Sequence, residues 1–316
     1  MQRWPQIQSH LDAFGLEHEL VADPHVPLSD QLIERLTDAA EGEFGGIVGI
    51  GGDGTHSGLI NALMQFRDEH ADRSLPPYSF IPMGTGNDIA KSFGLTTRQD
   101  FFVRDLRRAV SAIVHGADYH LDLGRLGTQY FVDAFTIGLD SEILRDRNIR
   151  KRRVEQIPVL REVVRGNYLL YTWCMGLRIW RIGRRPPEVK IMIDGESWYA
   201  GPVLNVVVNN TRIYGGEFDF CPDAYANDGK LDVVVFTGPV DYLRKYVMSL
   251  RHNPQKIREM ADQLKRVSSM AQGREIVIEC STSVAAQIDG EELPGSDRFE
   301  ISVVPNALHI KTPAEP

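Results

Sequence analysis

A chain of 316 residues with 35 Lys+Arg against 43 Asp+Glu carries a formal net charge of −8, and its acidic balance excludes a whole-surface nucleic-acid footprint. Hydrophobic residues at 42% and charged residues at 25% exclude a disordered or collagen-like chain. The three cysteines, Cys174, Cys221 and Cys280, are too few and too far apart for a disulfide scaffold or a zinc cluster, which leaves a reducing compartment as the default.

Residues 5–15 read as a helix and Glu17–Val21 as a short strand. Leu28–Ala40 is an amphipathic helix, apolar at Leu32, Ile33, Leu36, Ala39 and Ala40. Gly46–Ile50 is an apolar run ending in glycines, the pattern of a buried parallel strand, with the helix Leu59–Phe66 behind it. Ser79–Pro82 is the next strand, followed by a glycine loop and a helix through Phe93, and 100–115 reads as a closing helix. Strand, glycine loop and helix, twice over, predict a doubly wound three-layer α/β domain. From Tyr119 the pattern changes to short segments rich in Val, Ile and aromatics, at 119–126, 130–137, 188–194, 203–209, 231–236, 275–280, 284–288 and 298–304. They predict a β-rich, sandwich-like second domain, interrupted by helical segments at about 141–182 and 240–270. The expected division is 1–118, 119–305 and a C-terminal segment 306–316 that returns to the first domain and ends in a loose tail.

The charge is segregated. Residues 145–185 hold 12 Lys+Arg and three acids, +9, so the rest of the chain sums to −17. Such asymmetry suits either a solvated charged helix or a basic face for an anionic partner. No apolar secretory segment is visible. The most apolar helical stretch, Tyr168–Trp180, is broken by Arg178 and is too short to cross ~30 Å of hydrocarbon.

Gly51-Gly52-Asp53-Gly54-Thr55 follows its strand directly. Glycines let a backbone approach a ligand, and N–H groups at a helix start favour phosphate. Pro82-Met-Gly-Thr-Gly-Asn-Asp88 takes the same place on the next strand, and α/β sheets bind ligands in the crevice between such loops. Neither loop is a Walker A loop or a G-x-G-x-x-G fingerprint.

These two loops resemble the diacylglycerol kinase catalytic domain, in the superfamily that includes sphingosine kinases, NAD kinases and phosphofructokinases. Asn209–Phe218, Pro222–Asp232 and Gln287–Glu291 resemble later segments of the same group, so the likeness runs over about residues 5–310 and is nearest to the soluble bacterial lipid kinases. The resemblance implies an ATP-dependent kinase that phosphorylates the hydroxyl of diacylglycerol or a related lipid alcohol. The nucleotide would lie in a cleft between the domains. It implies nucleotide contacts from Gly51, Gly52, Asp53, Gly54 and Thr55, with Ser57 nearby, and from Gly84, Thr85, Gly86 and Asn87. Asp53 and Asp88 are implied to hold a catalytic Mg²⁺ through a carboxylate and water network. Asp289 is the implied general base, with Glu291 beside it. A structural Mg²⁺ is implied at the Asp228 carboxylate and the carbonyls of Tyr225 and Lys230.

A lipid acceptor implies peripheral contact with an anionic membrane surface and a cytoplasmic protein at the inner face of the membrane. The aromatic and basic stretch Gly166–Trp180 is expected to border the acyl-chain cleft. The sequence departs from the pattern of the family at three places. The opening strand and Asn-Pro-x-Ser-Gly turn are not found before Gly51. Ala22-Asp23-Pro24 stands where a threonine is usual, and Gly58 where a glutamate is usual. An NAD kinase-like enzyme and a lipid-binding protein with a decayed nucleotide site therefore stay open as alternatives.

Overall fold

The computed structural model describes residues 4–84, 86–96, 106–155, 186–215, 218–219, 221, 223–242 and 269–313, with side chains of 150–155 and 218–219 left aside. The N-terminal half is built on two parallel strands, β1 (Ile47–Gly51) and β2 (Tyr78–Pro82), in register from Ile47 opposite Tyr78 to Gly51 opposite Pro82. Helices α2 (Leu28–Asp38) and α3 (Asp53–Glu69) cover one face, burying Leu36, Ile60, Leu63 and Met64 against Tyr78 and Phe80. Helices α1 (Trp4–Ala13) and α5 (Leu106–His115) cover the other, where Ile7, Leu11, Leu106 and Val110 close around Ile81, and the short helix α4 (Asp88–Ser92) follows β2. This is the expected three-layer arrangement. The expected strand at Glu17–Val21 does not form. Among the described residues β1 pairs with β2 alone, and Leu20 and Val21 are exposed, so that segment has no sheet to bury its apolar residues against.

The second half is a β-sandwich-like body. It contains β3 (Ala117–Leu126), β4 (Gln129–Phe131), β5 (Ala134–Gly138), the helix α6 (Leu139–Glu155), β6 (Glu188–Ile193), β7 (Glu196–Pro202) and β8 (Asn205–Asn209). It continues with β9 (Ile213–Tyr214), β10 (Phe218–Asp219), β11 (Leu231–Phe236), β12 (Ser269–Gly273), β13 (Glu275–Ile288) and β14 (Glu291–Thr312). Alternating Val and Ile on β6, β8, β11 and β13 meet Phe135 and Phe299 in a second core. The strand path β1-β2-β14-β13-β5-β8-β11-β12 joins both halves, because Ile310 of β14 pairs in parallel with Tyr78 of β2. The sheet is therefore mixed.

Three differences from the sequence reading bear on the site. The expected strands 275–280 and 284–288 are one strand, β13, with register shifts after Glu279 and Val284. The expected strand 298–304 is the middle of a 22-residue strand, β14. The expected strand 130–137 is broken at Val132-Asp133, where the backbone amides turn to a side chain instead of a neighbouring strand. The helical expectations at 156–182 and 243–268 lie outside the described residues, while Ser269 already begins β12.

Beneath the first glycine loop, His56 Nδ1 and the Tyr78 hydroxyl are 2.9 Å apart and both residues are buried. Tyr78 fills the space over Gly49, where a methyl group would lie 1.9 Å from its hydroxyl oxygen. Burial keeps the His56 imidazole neutral, with its pKa lowered from 6.5 to about 4. Protonation thus favours the unfolded chain. The contribution of His56 is complete above about 6.5 and is lost as the pH falls toward about 4. Urea unfolding of the wild type and of His56→Gln across that window should show the wild type losing about 3 kcal/mol relative to the variant. Parallel stability curves would exclude a buried neutral His56.

Candidate active site

The two glycine loops meet backbone to backbone. A methyl group at Gly52 would lie 2.8 Å from the Gly84 Cα, and one at Gly84 would lie 2.5 Å from the Gly52 Cα. The Met83 N–H donates to the Gly51 carbonyl at 2.6 Å, extending the β1–β2 ladder into the loops. Thr55 packs over Gly51, whose Cβ position would be 2.4 Å from the Thr55 Cβ. Asn87 closes the second loop from a left-handed conformation, φ 55°, ψ 43°; its Oδ1 accepts the Gly84 N–H at 2.8 Å and its amide donates to the Gly84 carbonyl at 3.1 Å. Gly52 caps α3 in an extended conformation, leaving the first amides of that 17-residue helix directed toward the crevice. Thr85 lies outside the described residues.

Carboxylates face these loops. A methyl group at Gly86 would lie 3.0 Å from Asp53 Oδ2 and 3.2 Å from Asp88 Oδ1, so both side chains border that glycine. A methyl group at Gly54 would lie 3.1 Å from Glu291 Oε1. Asp53, the first residue of α3, accepts the Ile89 N–H at 3.3 Å, and burial raises its proton affinity while Lys91 opposes that rise. The abutting loops are thus bordered by the carboxylates of Asp53, Asp88 and Glu291.

Asp289 sits at the turn between β13 and β14, at φ 46°. Its Oδ1 accepts the N–H groups of Asp133 and Ala134 at 2.9 and 3.0 Å. Its Oδ2 accepts the Val132 N–H at 2.9 Å and the Ser57 hydroxyl at 3.1 Å. Burial raises its pKa from 3.8 to about 6, against the lowering effect of these four donors. Ser57, expected near the nucleotide, is therefore placed against Asp289.

The sequence reading missed Asp133. It is buried, accepts a short hydrogen bond from the Thr211 hydroxyl, and has its proton affinity raised well above the ordinary value by burial and by the charges of Asp88 and Asp289. Nothing in its own segment marks it, since 130–137 reads as one strand. Asp140 was missed as well. Buried at the start of α6, it accepts from Asn205, Tyr214 and Tyr242, and Gln287 donates to the Tyr214 hydroxyl.

Asp228, Tyr225 and Lys230 share one exposed turn, away from these carboxylates in the chain. The Asp228 carboxylate accepts the Lys230 N–H at 2.9 Å, and the Asp228 N–H reaches the Tyr225 carbonyl at 3.4 Å. The turn is anchored by buried Asp122, whose carboxylate accepts the Gly229 N–H at 2.7 Å and the Asn306 N–H at 2.8 Å. Among the described residues no three His, Cys, Asp or Glu side chains converge on a metal-sized site.

An α/β unit with two abutting glycine loops, joined to a β-sandwich whose half-buried Asp289 bonds Ser57 of the helix after the first loop, defines a two-domain fold of the diacylglycerol kinase type. Residues 1–126 match the family model described as diacylglycerol kinase catalytic domain, and residues 161–312 match that described as YegS C-terminal NAD kinase beta sandwich-like domain. The chain is thus similar to the diacylglycerol kinase catalytic domain over its first part and to the YegS-type domain over its second. It is 27% identical over 216 residues to a diacylglycerol kinase of Bacillus subtilis, covering 68% of this chain and 63% of that protein. It is 24% identical over 285 residues to a probable lipid kinase YegS-like of Shewanella frigidimarina, covering 90% of this chain and 82% of that one. The crystal structure of a diacylglycerol kinase from Bacillus anthracis superposes with a TM-score of 0.69 at 21% identity, over 98% of this chain and 91% of that one. The relatives it matches are named diacylglycerol kinase and probable lipid kinase.

Two glycines on the same crevice should respond oppositely to a methyl group. Gly84→Ala drives a Cβ into the Gly52 backbone and should lower the melting temperature. Gly58, exposed within α3 and with nothing within 4 Å of its Cβ position, should gain up to ~1 kcal/mol as alanine through helix propensity. Equal thermal shifts in the two variants would contradict the close approach of the loops.

Proposed function

We propose that this chain is an ATP-dependent kinase that transfers the γ-phosphoryl group to the hydroxyl of diacylglycerol or a related lipid alcohol. The observation that carries the reading is that two abutting, phosphate-suited glycine loops stand beside the β13–β14 turn, whose Asp289 carboxylate accepts from Ser57 of α3 and whose Glu291 borders Gly54. Phosphoryl transfer asks a protein chiefly for positioning and charge neutralisation. In this reading the amides of Gly52, Gly54 and the second loop hold the phosphates, and Asp289 takes the proton of the acceptor hydroxyl. Residues 1–118 then serve the nucleotide and 119–305 the acceptor, with the C-terminal segment returning to the first half.

Mg²⁺, when bound, supplies charge neutralisation at the phosphate oxygens. Asp53 and Asp88, which border Gly86 together, would hold it through water and substrate, since Mg²⁺ keeps several waters. The all-oxygen set of Asp228, Tyr225 and Lys230 suits a second, structural Mg²⁺. Among the described residues no helix is long and apolar enough to cross a membrane. A cytoplasmic protein that meets an anionic lipid surface through the basic residues around α6 fits a lipid acceptor.

The test is purified protein with radiolabelled ATP and a panel of lipid alcohols. Label is expected in a lipid, and its loss is expected in Asp289→Asn; label in NAD, or in nothing, would refute the proposal. Because the base must be ionised, kcat/KM should rise with pH through about 6. A flat profile across that value would remove Asp289 from the proton step. Vesicle co-sedimentation should weaken when Arg150, Lys151, Arg152 and Arg153 are changed to Ala, by ~1 kcal/mol per residue near the surface, and unchanged binding to anionic vesicles would sink the membrane contact.

A further inference from the structure

The four donors on Asp289 are not equivalent. Three are backbone amides of Val132, Asp133 and Ala134, fixed by β4, β5 and a return bond from the Asp289 N–H to the Ala134 carbonyl at 2.9 Å. The fourth is the Ser57 hydroxyl, which turns about a single side-chain bond. Ser57 is buried, and among the described residues Asp289 is the partner of its hydroxyl. A carboxylate offers about four lone-pair sites. With Ser57 in place all are taken, and no site remains for the proton of a second hydroxyl.

We propose that Ser57 guards Asp289: its hydroxyl fills the place on Oδ2 that an acceptor hydroxyl must take, so Asp289 becomes a base only when an acceptor displaces it. Ser57 is thus a positioning residue, and the inference rests on the kinase reading above. Its consequence concerns water. In hydrolysis the water oxygen bonds to the γ-phosphorus of ATP as the bond to the bridging oxygen of ADP breaks. The proton of that water passes to Asp289, and ADP and inorganic phosphate leave. A lipid alcohol can displace Ser57 because contacts along the rest of the molecule offset the lost hydrogen bond, and water has no such contacts. Ser57 therefore suppresses hydrolysis and leaves transfer to lipid open.

The experiment measures two reactions with the full chain: ATP hydrolysis without lipid, and transfer from ATP to diacylglycerol in mixed micelles. Ser57→Ala should raise lipid-independent hydrolysis roughly tenfold, the factor of one hydrogen bond to a charged group. Adding Asp289→Asn should abolish that rise, and Ser57→Thr should bring hydrolysis back down. Ser57→Cys, a weaker donor of similar size, should shift hydrolysis in the same direction as Ser57→Ala and serves if the alanine variant does not fold. Without any ligand, carbon-13 NMR should place the Asp289 carboxyl titration near 6 in the wild type and higher in Ser57→Ala. The Asp133 carboxyl lies beside it in both proteins. Transfer to lipid by the wild type with hydrolysis unchanged in Ser57→Ala and Ser57→Cys overturns the guard alone. No transfer by the wild type overturns the kinase reading and the guard with it.

Discussion

A carboxylate held partly out of water needs donors around it, and the cradle around Asp289 dictates much of the second half of the molecule. Three consecutive amides can reach one side chain only if that stretch leaves its strand ladder, and β4 therefore ends at Phe131 while β5 starts at Ala134. Leaving the ladder frees carbonyls as well as amides. The Val132 carbonyl takes the Asn210 side-chain amide at 2.9 Å, and the Asp133 carbonyl takes the Asn210 N–H at 2.8 Å. Asn210 also reaches the Asp122 carbonyl at 2.8 Å, and the Asp122 carboxylate in turn holds the turn that carries Asp228. The strand break, the buried asparagine and the anchored turn are thus joined by one chain of hydrogen bonds.

The electrostatics of the crevice follow from the same crowding. Asp53, Asp133 and Asp289 all bind protons more tightly than free carboxyls, each chiefly because of burial, and Asp133 also because of its charged neighbours. Among the described residues, Lys91 is a cation that acts on Asp53. The helix start at Gly52 supplies amides to anions in the same crevice. Surfaces of opposite character a few residues apart suit a ligand that is itself an anion carrying cations.

Much of this was legible in the sequence. The glycine loops announced themselves through residue type and through their place after apolar strands, and the periodicity change near Tyr119 marked the second half. Asp133 was not legible, because Tyr130–Ile137 is rich in aromatic and β-branched residues like an unbroken strand, and the force that breaks it comes from a residue more than 150 positions away. Ser57 was assigned to the neighbouring loop for the same reason, since its partner is 232 residues distant. Glu17–Val21 shows the opposite failure: its pattern suits a strand, but a strand exists only where a partner offers hydrogen bonds. The merged strands β13 and β14 conceal their length because bulges and turn-like residues interrupt their pattern.

The long strand β14 has a consequence for how the protein comes into being. Leu308 and Ile310 lie in the same core as Ile60, Leu63 and Tyr78, and Ile310 supplies β2 with its second neighbour. Helices and strands made first on the ribosome therefore wait for a segment made some 230 residues later before their core is whole. Until then β2 offers an unpaired side and the apolar face of α3 stays partly open, the condition in which nascent chains recruit chaperones. The molecule begins folding at its N-terminal half and completes that half last.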